Sequence, residues 1–266
     1  MKTTNAMTGW LWVRQGIAIF KKQPAEMLML FFAYMFLNMG IGLIPFAGQF
    51  LPLLLVPVFA MSFMSACRDI EAGQRVNAQL LMVGFRSPAL PNLLKLGVLY
   101  ILAATLAIAA SSLIDDGVFW DFVMNQEPID PKTLPETGMF WSMMFSGLVY
   151  LPAMMAFWYA APLIAWNNMS LSKAVFYSFF AVKRAGKAFS VYGLAWAGIG
   201  VVLPLVVSLI IALIVGSATT LMIILMPFSI VLTVVMYCSF YPTYTDIFAQ
   251  AEPAVLLPAD QADPSK

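Results

Sequence analysis

Residues 92–114 read NLLKLGVLYILAATLAIAASSLI, and beyond Lys95 near its start the stretch carries no charge. A helix needs about 20 mainly apolar residues to cross a hydrocarbon core, so this segment spans a membrane. Five more stretches read the same way, at 25–44, 48–67, 140–166, 188–216 and 219–241. Of the 266 residues 62% are hydrophobic and only 10% charged, too little polar surface for a water-soluble domain to cover itself. The fold class expected is all-α integral membrane, with six transmembrane helices.

The charges sort by side. Residues 1–24 hold Lys2, Arg14, Lys21 and Lys22. The connection after the second span holds Arg68, Arg75, Arg86 and Lys95, and the one after the fourth holds Lys173, Lys183, Arg184 and Lys187. With Lys266 in the tail, all of the 14 basic residues except Lys132 fall on one face. The positive-inside rule makes that face cytoplasmic, together with both termini. The opposite face has tight turns at 45–48 and 216–218. It also has one long loop, 115–139, where Asp115, Asp116, Asp121, Glu127, Asp130 and Glu136 outweigh Lys132. No cleavable signal peptide is apparent, because the first apolar run follows Lys21-Lys22 and leads straight into the second. Cys67 and Cys238 fall near cytoplasmic span ends, where thiols stay reduced, and are read as small apolar packing residues.

The six spans group into three hairpins with a weak internal repeat. Each unit opens with a segment of helical character that ends in an aromatic followed by cations: Trp10 to Lys22, Asn77 to Arg86 and Leu171 to Arg184. The return spans carry Pro57, Pro152 and Pro227. This predicts a pseudo-threefold repeat with units near 8–67, 76–166 and 170–245 in one membrane domain, 1–248, and a disordered cytoplasmic tail at 249–266. The openings read as cytoplasmic interfacial helices. In the third, Leu171, Val175, Ser178 and Val182 share one arc, opposite Lys173, Tyr177 and Arg184. In the first, Trp12, Val13, Ile17, Ile19 and Phe20 share one half of the wheel, opposite Arg14, Gln15 and Lys21. Such helices bury their apolar half at the acyl boundary, and each cation gains about 1 kcal/mol near anionic lipid.

Chemistry is sparse. There is no histidine, which removes the commonest general base and metal ligand, and there is no metal-ligand cluster or nucleotide-binding loop. No catalytic residue and no cofactor is expected. The spans hold essentially no ionisable residue at depth, Asn38 being the main polar side chain there, which argues against a proton- or sodium-coupled pump. Pro152, Pro162 and Pro204 are expected to kink or interrupt spans four and five. Gly193 and Ala197, with Gly198 and Gly200, form a thin face suited to close approach by a neighbour. The residues left for a site are cations: Arg14, Lys21, Lys22, Arg75, Arg86, Lys173, Lys183, Arg184 and Lys187, as contacts for a lipid head group. The function expected is binding or organising lipid or another amphiphile, or scaffolding a membrane partner. The alternative is a transporter of an apolar or amphiphilic small molecule. Membrane lipids, anionic ones included, are the expected partners, with a second copy or another membrane protein next and no nucleic acid.

Trp10, Gly16, Ile19-Phe20 and Pro24, then Cys67-Arg68-Asp69, then Tyr241-Pro242 to Asp246-Ile247-Phe248 resemble an uncharacterised family of proteobacterial six-span inner-membrane proteins. In layout the chain is also similar to YciC-like proteins and the membrane domains of glycerophosphodiester phosphodiesterases, which pair surface helices with hairpins. The resemblance implies the fold and the bacterial inner membrane. It implies no catalytic residue, since the soluble phosphodiesterase domain and its histidines are missing.

Overall fold

The computed structural model describes residues 5–45, 47–125, 138–215 and 218–248, and among these every regular element is a helix. Six helices are long and apolar enough to cross a membrane: Pro24–Gly42 (α2), Phe50–Glu71 within Ala47–Glu71 (α3), Leu90–Asp115 (α5), Met139–Asn167, Gly186–Leu213, and Leu221–Phe248 within Ala218–Phe248 (α12). They match the sequence reading to within a few residues, except that α3 and α12 continue for one or two turns past the expected cytoplasmic ends. Residues 126–137 of the long loop, Lys132 included, and the tail 249–266 lie outside the described residues, as do 46, 216 and 217 in the two tight turns.

The opening segments are helical too. The first is Met7–Lys22 (α1). Gln23 (φ −145°, ψ 66°) separates it from α2, which Pro24 starts in the place where a missing N–H costs nothing. The Gln23 amide also pins the chain after α3, donating to the Gln74 carbonyl at 2.6 Å and accepting from the Val76 N–H at 2.9 Å. The second is a 3₁₀ turn, Ala78–Met82, capped by Asn77 and continuing into Val83–Arg86 (α4). The third is Leu171–Arg184 (α9), with the bounds read from the sequence. At the C-terminal end of α5 the Asp115 carboxylate accepts the N–H groups of Gly117 and Phe119 and caps the short helix Val118–Trp120 (α6). Asp115 is thereby a buried helix-end group.

Span four is two helices, Met139–Phe157 (α7) and Ala160–Asn167 (α8). Two causes act at the break. Pro162 has no N–H for the Trp158 carbonyl and crowds it. The Ser178 hydroxyl of α9 inserts into the ladder, accepting from the Tyr159 N–H at 2.9 Å and donating to the Met155 carbonyl at 2.9 Å. Pro152, also expected to kink the span, sits inside continuous α7. Span five runs from Gly186–Ala197 (α10) through a π-helical turn, Gly198–Val202, just ahead of Pro204, into Leu203–Val215 (α11).

Each opening rests on a hairpin other than its own. The 3₁₀ turn and α4 lie on α3 and α2, α9 lies on α7 and α8, and α1 lies on α10 and α12. Gly9, Trp12, Val13, Gly16 and Ile19, at helical spacing, form the buried face of α1. The Trp12 indole, 1% exposed, donates to the Asp246 carboxylate at 3.2 Å and stands edge-on to Phe189 and Tyr192. The amphipathic pattern is therefore as read, but its apolar face meets protein and not acyl chains. On α9 the buried residues are Ala174, Ser178, Ala181 and Val182, while Phe176, Tyr177 and Phe180 are exposed.

The core lies in the half of the membrane domain nearest these openings. It runs through Met27, Leu30, Val58, Phe59, Cys67, Leu93, Leu96, Leu163 and Cys238. Cys67 and Cys238 are free and buried. At the other ends Leu43, Leu113 and Leu213 are each about 80% exposed. Lipid tails solvate such side chains as well as protein does, so nothing forces those ends together.

Candidate functional site

The nine cations read as head-group contacts are all exposed on the core-bearing side. Lys21 and Lys22 end α1, Arg86 ends α4, and Lys183 and Arg184 end α9, where each also meets the negative end of a helix dipole. Arg14 is on the outer face of α1, Arg75 precedes the 3₁₀ turn, and Lys187 is in the first turn of α10. Lys173 stands over the Tyr177 ring at 5.9 Å. Arg68, not among the nine, stands over Trp166 at 5.1 Å and pairs with Asp69 at 3.8 Å.

One of the nine reaches a cavity between helices. A half-open cavity of about 470 Å³ lies between α7, α10 and α12, and Lys183 stands on its wall. Met154, Trp158, Phe189, Trp196, Met236 and Phe240 make it almost wholly apolar. Gly186 and Gly193 also line it, and a Cβ at either would meet open space within 4 Å. At Gly193 the thin face of span five thus borders open space and does not seat a neighbouring helix of this chain. Lys183 and Arg184 also share a shallow recess with Phe176, Tyr177 and Phe180.

Behind the same wall is a second, partly open cavity of about 280 Å³, bordered by α3, α5, α7, α8 and α12. Met154, Trp158, Met236 and Phe240 divide the two. Its lining is aromatic, with Phe63 stacked on Tyr237 at 4.6 Å and Tyr100 stacked on Phe157 at 4.7 Å. Asn38 lines neither cavity and turns back to its own helix, donating to the Tyr34 carbonyl at 2.9 Å.

Trp158 at the break has one further property. Its indole N–H is buried and has no hydrogen-bond partner, although Tyr192 beside it spends its hydroxyl on Ser239 at 2.6 Å. Sequence reading placed Ser178 on the apolar arc of α9. The signal available for the break was Pro162, four residues after Trp158. Among the described residues no group of three or more acidic or cysteine side chains gathers as a metal site.

Over 254 residues the chain is 39% identical to a probable inner membrane protein of Burkholderia thailandensis, an alignment that covers 94% of each protein. The chain belongs to the same family. Membership agrees with the six apolar helices and with an integral membrane protein. No family model matches the chain and no solved structure matches it, so the wider likeness to YciC-like and phosphodiesterase membrane domains gains no support.

Proposed function

We propose that this inner-membrane protein binds anionic lipid on its cytoplasmic side, with the apolar part in the cavity between α7, α10 and α12 and the head group at Lys183. The observation that carries the reading is an apolar cavity of about 470 Å³ with a cation on its wall, within the usual range for ligand sites. Arg184 and Lys187, next to Lys183 in sequence, add positive potential, and a partial ring of the other cations extends it around the inner leaflet. Three repeated units support that ring. Each opening segment rests on the hairpin of the preceding unit, and α1 closes the circle by resting on the third. On this reading the openings form a basic collar, and the termini are cytoplasmic.

Replacing Lys183, Arg184 and Lys187 with glutamine should leave insertion intact, because the other inner cations still set orientation. It should weaken retention of phosphatidylglycerol in native mass spectrometry about tenfold, since each surface cation contributes on the order of 1 kcal/mol before salt screening. Unchanged retention in a correctly inserted variant would reduce these cations to topological signals. Orientation has its own check. A cysteine at Asp121 should react with a membrane-impermeant maleimide in sealed cells, and one at Asn77 should not. The reverse pattern would invert the topology, and Cys67 and Cys238 are buried enough to leave the background low.

A second reading, transport of an apolar or amphiphilic molecule, draws on the aromatic cavity behind the wall. Movement of a fluorescent amphiphile across proteoliposomes faster than across empty vesicles would favour it.

A further inference from the structure

We infer that the outward face of α9 is a membrane-contacting surface: Phe176, Tyr177 and Phe180 lie in the bilayer at the level of the lipid ester groups, and Lys173, Lys183 and Arg184 reach the phosphates around them. The inference rests on the membrane spans and not on the occupant of the cavity.

The helix has two faces. Ala174, Ser178, Ala181 and Val182 share one arc and are buried against α7 and α8. Phe176, Tyr177 and Phe180 fall on the opposite arc and are 60, 43 and 47% exposed. The Phe176 ring lies 4.6 Å from Phe180 and 6.2 Å from Tyr177, so the three make one patch. Lys173, Lys183 and Arg184 are interleaved on the same arc and are exposed as well. The amphipathic pattern in the sequence puts lipid on the side of Leu171, Val175 and Val182. In the fold Val182 is buried and Leu171 and Val175 pack against the core, so the free face is the one that reads as polar.

Three observations say what covers it. The first is composition. A contiguous exposed aromatic patch marks an interaction surface, and aromatic rings mixed with lysine and arginine suit the head-group level of a bilayer. The long cationic stems reach phosphates while the rings sit deeper, and the charge complements anionic lipid. The second is level. Ser178 bonds to Met155 and Tyr159 in span four, and the whole of α8 still follows before that span ends at Asn167. Contact at these positions places α9 beside the span and not beyond its end. The third is continuity. Leu148, Leu151 and Met154 are exposed on α7, the kind of apolar surface that a spanning helix shows to lipid. Leu151 and Met154 border the first cavity together with Lys183, and Lys183 also borders the recess of Phe176 and Phe180. One side chain thus joins the aromatic patch to the apolar surface of α7.

Spin labels test the surface in the full chain, reconstituted in vesicles of phosphatidylethanolamine and phosphatidylglycerol. A nitroxide at Phe176→Cys and, separately, at Phe180→Cys is read by its collisions with oxygen, which concentrates in the bilayer, and with a nickel chelate, which stays in water. Leu148→Cys supplies the lipid standard, and Ala72→Cys, in the exposed polar turn after α3, supplies the aqueous one. Both test positions are exposed, so the labels leave the packed arc of α9 intact. The ratio of oxygen to nickel collisions at both should approach that at Leu148 and exceed that at Ala72 severalfold. A ratio near the Ala72 value at either position overturns the inference and makes the patch a docking face for a soluble partner. Collisions with both reagents well below the two standards also overturn it, because a second copy or another protein then covers the patch. Failure of phosphatidylglycerol retention in the Lys183, Arg184 and Lys187 variant would sink the cavity reading and leave this one standing.

Discussion

Gly16→Leu should unseat α1 and lower the melting temperature in detergent more than any exposed substitution on the same helix. A Cβ at Gly16 would lie 2.6 Å from the Ser239 Cα of α12, and backbone does not yield as a flexible side chain does. The expected loss is about 3 kcal/mol, the upper end for overpacking. It comes with release of the Trp12 indole from Asp246 and with protease access to residues 7–22. Arg14→Leu, on the outer face of the same helix, should stay within about 0.5 kcal/mol of the parent chain. A Gly16→Leu protein that melts with the parent would show that α1 does not rest on α12.

Gly193→Phe should separate binding from stability. The added ring enters the cavity between α7, α10 and α12, where a Cβ at residue 193 meets nothing within 4 Å. Removing a helix-interior glycine gains up to about 1 kcal/mol, so the melting temperature should hold or rise. Retention of phosphatidylglycerol should fall by roughly tenfold or more, because the ring takes the space of the acyl chain. Gly193→Ala adds one methyl group and should retain lipid nearly as the parent does. If Gly193→Phe holds lipid unchanged, the ligand lies elsewhere, and the recess at Phe176, Tyr177 and Phe180 is the next place to look.

Span positions were legible in the sequence because the bilayer imposes its thickness on each helix separately, without reference to the neighbours. The bounds of α9 were legible for a similar reason. Its apolar positions recur at helical spacing, and its cations sit where a helix ends. What covers the apolar faces of α1 and α9 was not legible, because periodicity reports that a face is buried and not what buries it. Trp12 meets Phe189, Tyr192 and Asp246, all more than 170 positions away. Gly193 shows the same limit from the other side. Small residues at fourfold spacing permit close approach, and here the space stays empty. The prolines were legible in part. Pro162 breaks span four only together with Ser178, a side chain from another helix, whereas Pro152 passes through α7 without interruption. The candidate site shows the largest gap. Its cations could be listed from the sequence, but which of them reaches the cavity depends on helices far apart in the chain meeting.

The rest position of α1 has a consequence for how the chain is made. Trp12 and Asp246 are 234 residues apart, so at 5–20 residues per second the indole waits roughly 10 to 50 s for its carboxylate partner to be synthesised. For most of that interval α10 and α12 do not exist, and the face bearing Trp12, Val13 and Ile19 lacks the partners that cover it in the finished fold. An amphipathic helix with Arg14, Lys21 and Lys22 on its other side is suited to lie on a membrane surface until then. The Trp12 contact to Asp246 therefore has to wait until the end of α12 is made. A chain that stops before α12 leaves its first helix without the Asp246 latch.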